Sequence, residues 1–148
     1  MKKLFFVIAM LLCIPISSHA ASSASDSVLV DKDNLRVIRV LWTAHTDGTF
    51  TNYEITNAPL GAIWMVATDP GSTAPTDNYD IDLLDSTGVD IMGAELDDRD
   101  TANTEQAMPL IGSSSGVRPV NGKLTLAISN NSVNSATGTI YIYIYQQK

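Results

Sequence analysis

Catalytic chemistry in this chain would have to come from very few side chains. His45 is the one histidine beyond the first twenty residues, and Asp47 stands two positions after it. An imidazole beside a carboxylate can move a proton, but a catalytic base needs partners and a pocket converging on it. Gly112-Ser113-Ser114-Ser115-Gly116 spells the hydrolase pattern G-x-S-x-G. That pattern works as a strand–turn–helix elbow followed by an acid and a histidine. No histidine follows Gly116, and a serine-glycine loop accounts for the match. No enzyme is expected.

The acidic residues could do something different. Asp69, Asp77, Asp80, Asp82, Asp85 and Asp90 fall close together, followed by Glu95, Asp97, Asp98 and Asp100. Calcium takes oxygens from neighbouring loop carboxylates and carbonyls, and Asp69, Asp77, Asp97, Asp98 and Asp100 are the loop donors it would use. The EF-hand spacing is absent, because Leu84 stands where a third acidic ligand would follow Asp80 and Asp82. Solvated strand faces and loops explain most of these charges, and no cofactor is required. No pair of carboxylates is singled out for glycosidase work.

The strongest pattern is Thr139-Ile140-Tyr141-Ile142-Tyr143-Ile144-Tyr145. Successive side chains of a strand point to opposite faces, so this run writes isoleucine on one surface and tyrosine on the other. Tyr141, Tyr143 and Tyr145 can pack by their rings while their hydroxyls meet water, a sugar or another protein. Such an uncharged run of high β-propensity is an aggregation hazard on an open edge. The strand must therefore be central, or be closed by another chain.

The elements that would position these residues are short strands. Val37 to Thr46 alternates, with Ile38, Val40, Trp42 and Ala44 on one face. Asp47-Gly48 offers a hairpin turn, with Thr49 to Ile55 returning as a strand. Ala62 to Thr68 is apolar on both faces, Asn78 to Leu84 and Lys123 to Ser129 alternate, and Asn121-Gly122 offers another hairpin turn. Residues 130–138 would link the last two strands as a long hairpin loop. About seven or eight strands, with turn signals every ten residues or so and no sustained helical period, predict an all-β antiparallel sandwich, jelly-roll or Ig-like.

Residues 1–20 read as a signal peptide: Lys2 and Lys3, an apolar run from Leu4 to Ile14, then Ser18-His19-Ala20. The run is shorter than the ~20 residues a span requires. Residues 21–34, rich in serine, are expected as a flexible leader, and 35–148 as the β-sandwich domain. Cys13 is the one cysteine, so disulfides hold nothing together after cleavage. Without Lys2 and Lys3 the chain carries seven basic and sixteen acidic residues, a net −9. That balance disfavours nucleic acid and anionic membrane surfaces. The expected location is secreted, periplasmic or cell-surface, or else in a virion.

Thr68 to Gly93, together with Asp98-Arg99-Asp100-Thr101, resembles small virion-associated proteins of tailed bacteriophages and prophages. Leu124 to Asn131 and Gly138 to Ile144 are similar to the end of the same proteins. The resemblance implies a decoration, head-fibre or tail-associated β-sandwich and transfers no site residues. Two functions follow as expectations. The first is a non-enzymatic structural module that self-associates or coats a virion or cell surface through Tyr141, Tyr143 and Tyr145. The second is a secreted carbohydrate-binding module stacking sugars on those tyrosines, with Trp42 or Trp64 assisting.

Overall fold

A computed structural model describes residues 20–146. The expected signal peptide lies outside the described residues except for Ala20. Eleven strands run through the described chain: β1 Ser23–Lys32, β2 Leu35–Thr43, β3 Tyr53–Ile55, β4 Leu60–Pro70, β5 Asp80–Leu84, β6 Glu105–Ala107, β7 Leu110–Ile111, β8 Ser114–Ser115, β9 Arg118–Asn121, β10 Leu124–Ser129 and β11 Thr137–Gln146. The count exceeds seven or eight because β1 forms where a leader was expected and the short β6, β8 and β9 join the strands foreseen.

The pairings among these strands are antiparallel, and they build the expected sandwich. One sheet runs β1-β2-β11-β4-β6, with β9 also on β4, and the other runs β3-β10-β5. The pairs β2·β11, β3·β10 and β4·β9 are nested, like the two arms of one long ribbon. Winding that ribbon also sets β11 against β4 and β10 against β5. Of the two wirings expected, this is the jelly roll. Inward residues of both sheets share one core, including Ile38, Val40, Ile140, Ile142 and Ile144 against Ile81, Leu83, Leu124 and Leu126.

The expected hairpins become crossings between the sheets. Gly48 does make a turn at φ 86°, donating its N–H to the His45 carbonyl at 3.0 Å. The chain then enters β3, which pairs with β10 rather than β2. Gly122 turns β9 of the first sheet into β10 of the second, and residues 130–136 carry the chain back to β11. A good turn sequence bends the chain locally, but the partner of the next strand is settled by which apolar face must be covered.

The leader expected over residues 21–34 is corrected by the structure. Ser23–Lys32 pairs with β2 along its length, and Asp33 closes the turn at φ 53°. Backbone pairing holds this serine-rich edge strand, which needs little apolar burial of its own. Asp26 adds a tie to the opposite sheet. It accepts the Tyr53 hydroxyl at 2.5 Å, the Asn57 backbone N–H at 2.8 Å and the Asn57 side chain at 2.7 Å.

Burial opposes ionisation of Asp26, but the donors of Tyr53, Asn57 and Thr56 together hold its carboxyl below the usual carboxylate range. The folded state thus releases this proton at a lower pH than the unfolded chain does. The tie contributes above the unfolded pKa, near 4, and is lost as pH falls through the lower native value. Asp26→Ala should cost about 1–2 kcal/mol at neutral pH. In urea titrations that deficit should shrink as the pH drops below about 4.

Candidate interaction face

The isoleucine and tyrosine rows of β11 separate as their alternation requires. Ile140, Ile142 and Ile144 are fully buried, whereas Tyr145 is 59% exposed and Tyr141 and Tyr143 are half-buried. β11 is the central strand, flanked along its length by β2 and β4, so its edge hazard is resolved within the chain. What remains open is the outer face of this sheet. Tyr141 lies between Arg39 and Ala67, Tyr143 between Val37 and Met65, and Tyr145 between Leu35 and Ala62. On β1, Val30 continues the row of Val37, and Lys32 that of Leu35.

A β-bulge sharpens this surface. The β4 register slips where Tyr143 faces Met65 but Ile144 faces Ile63, leaving Trp64 as the extra residue. Its ring meets Tyr143 edge to face, with centroids 5.7 Å apart and planes at 68°. Such a pair is worth about 0.5–1.5 kcal/mol beyond its buried area. Tyr145 stands between two hollows. One, of about 470 Å³, is lined by Leu60, Gly61, Ala62, Pro119 and Val120. The other, of about 300 Å³, is lined by Val30, Lys32, Asp33, Asn34 and Leu35. Leu60 and Leu41 are exposed at the rim of this face.

Trp42 takes no part, which corrects its expected place as a sugar platform. It is 2% exposed, inside the core, against Phe50 and Tyr79 at 6.1 and 6.0 Å. Trp64 is the tryptophan the face presents. Its signal in the sequence was the stretch from Ala62 to Thr68, apolar on both faces. The bulge that turns Trp64 toward Tyr143 carries no sequence signature of its own.

The charge is segregated. The outer face of the large sheet carries Arg39 and Lys32, neither of which makes a salt bridge among the described residues. The Arg39 Nε and the Trp64 Nε1 are buried atoms without a hydrogen-bond partner. Asp69, opposite Thr139, is an acid on that face and accepts the Thr104 hydroxyl at 2.9 Å, and Asp33 lines the hollow beside Tyr145. The small sheet presents the reverse: Glu54, Thr125, Leu84, Ala127, Asp82, Ser129 and Asp80 share its outer side. Burial first, then Asp90 and Asp80, push the Asp82 carboxyl up. Asp97 is likewise raised, by burial and then by Asp80, Asp82, Asp90 and Asp98.

The calcium donors expected from sequence do not converge. Asp100 accepts the backbone N–H groups of Ala102 and Asn103, and Asp98 gives its own N–H to Asp80. Among the described residues no group of three His, Cys, Asp or Glu side chains could hold a metal.

His45 lies 3.0 Å from Asp47. The Thr49 hydroxyl and N–H, with His45 beside them, hold the Asp47 carboxyl down at about 2. The backbone of His45 bonds to Gly48, Thr49 and Ser135, which makes it a loop anchor. The serines of 112–116 sit elsewhere, in the exposed β7–β8 ribbon that closes through Gly116 N–H to the Pro109 carbonyl. No strand–turn–helix elbow forms there.

Comparison with family models, with curated proteins and with solved structures gives no match.

Proposed function

We propose that this chain is a non-enzymatic structural module, an exported jelly roll that self-associates or coats a virion or cell surface through the outer face of its large sheet. The observation that carries the reading is the surface around Tyr141, Tyr143 and Tyr145. Val30, Leu41, Leu60 and Tyr145 are exposed there and Tyr141, Tyr143, Trp64 and Met65 half-buried, over a floor of buried Val37 and Ala67. Contiguous exposed apolar surface on a soluble domain marks a contact site, and Tyr, Trp, Met and Arg are the residues enriched at such contacts. Jelly rolls serve in both capsid and lectin domains, so the fold agrees with the reading without choosing it.

A second reading has its own support. The Trp64–Tyr143 pair beside the hollows around Tyr145 is a stacking platform of the kind sugars use. Light scattering separates the two. For assembly, the purified protein gives a mass above the monomer at micromolar concentration, and Tyr143→Asp returns it to the monomer with its thermal midpoint little changed. For the glycan module, the wild type is monomeric, and its signal on a glycan array vanishes in Trp64→Ala. A monomer with no array signal contradicts both.

A further inference from the structure

We infer that the aromatic face of the large sheet docks on the acidic outer face of the small sheet of a second copy, so that copies stack head to tail. The inference rests on the reading that the aromatic face is a contact surface, and it names the occupant: the β3-β10-β5 sheet of another molecule of this chain.

Shape and charge both favour that occupant. The outer side of β10 carries only small residues, Thr125, Ala127 and Ser129, and leaves a shallow surface on which tyrosine and tryptophan rings can lie. Beside it, Asp80 and Asp82 crowd with Asp90 and Asp97, and their mutual repulsion helps raise Asp82 and Asp97. Lys123, just before β10, is already held by Glu54 at 2.7 Å, and Arg99 by the Asp97 carbonyl and Glu105. The aromatic face offers Arg39 and Lys32, unpaired among the described residues. Like-on-like docking of two aromatic faces would instead bring Arg39 and Lys32 against a surface with fewer acids, Asp69 beside Thr139 and Asp33 beside the hollow at Tyr145. A guanidinium left buried without an anion is costly, whereas one set against the Asp82 cluster relieves strain on both sides.

The contact is heterologous, since each copy uses two different surfaces. Stacking therefore leaves a free face at either end and grows into a ring or a filament.

Charge exchange tests this directly in sedimentation velocity. Arg39→Glu and Asp82→Arg are each expected to weaken self-association about ten-fold or more. The double variant, with the charges swapped, should recover most of it. Asp82→Asn removes the charge without adding bulk, so it should fall between Asp82→Arg and the wild type even if Asp82→Arg folds poorly. Raising salt from about 0.05 M to about 0.5 M should weaken wild-type association. If Asp82→Arg and Asp82→Asn associate like the wild type while Tyr143→Asp does not, stacking is overturned and the aromatic face keeps its role with another occupant. If Tyr143→Asp associates normally, or the wild type stays monomeric throughout, stacking and the reading beneath it fail together.

Discussion

Gly138→Ala is expected to cost more than about 3 kcal/mol of stability, at the upper end of what overpacking does. Gly138 sits on β11 opposite Trp42 and Pro70. A Cβ added there would lie 2.6 Å from the Trp42 Nε1 and 2.7 Å from two of its ring carbons. The indole cannot swing away, because it is enclosed by Phe50 and Tyr79 in the core. Such a loss is a large share of the roughly 5–15 kcal/mol that holds a domain together. Gly88→Ala makes the control. Its Cβ meets nothing within 4 Å, so only the left-handed backbone at φ 83° resists the change, at about 1–2 kcal/mol. Urea midpoints of the two variants should differ clearly. A Gly138→Ala midpoint no lower than that of Gly88→Ala would mean that Trp42 does not pack against β11.

The second large effect contrasts neighbours on one strand. Ile142→Ala empties a fully buried site between β2 and β4 and should cost about 2–5 kcal/mol. Tyr143→Ala, one residue on, removes a half-buried ring and its contact with Trp64, worth about 0.5–1.5 kcal/mol beyond the ring's buried area. Association should show the reverse order. Tyr143→Ala should weaken it strongly, as loss of a central aromatic does, while the folded fraction of Ile142→Ala should associate as the wild type does. Equal effects of the two substitutions on both measurements would remove the distinction between the faces.

Strands whose two faces differ in polarity were legible before the structure. β10 and β11 alternate strictly and β2 does so from Ile38 to Trp42 on its inner side, and the residues so marked, from Ile38 to Ile144, fill the core. β1 was not legible, because Ser23 to Ser27 hold one apolar residue, Ala24, and their order comes mainly from backbone bonds to β2. Nor was the wiring. Asp47-Gly48 and Asn121-Gly122 have the chemistry of tight turns, yet the strands they join belong to different sheets. Pairing is a long-range matter: β2 meets β11 about a hundred residues away, and local turn residues carry no trace of it.

The candidate face was half legible for the same reason. Its tyrosines lie on one strand and announce themselves by period. Trp64, Met65, Val37 and Arg39 join them only after β4 and β2 have closed on β11. The opposing acidic face was visible as the alternation of Asn78 to Leu84, which sets Asp80 and Asp82 on its solvent side. β5 sets Asp80 and Asp82 side by side on the outer face of the small sheet, where Asp80 and Asp90 help to raise the Asp82 carboxyl.

Hydroxyl-radical footprinting of the wild type at low and high protein concentration tests most directly whether the outer face of the large sheet is a covered surface. Trp64, Tyr143 and Tyr145 should become protected as concentration rises, while Ile111, exposed on the β7–β8 ribbon, keeps its rate. Oxidation of Trp64 and Tyr145 at the same rate across the range, in a protein shown to associate over it, would contradict that claim.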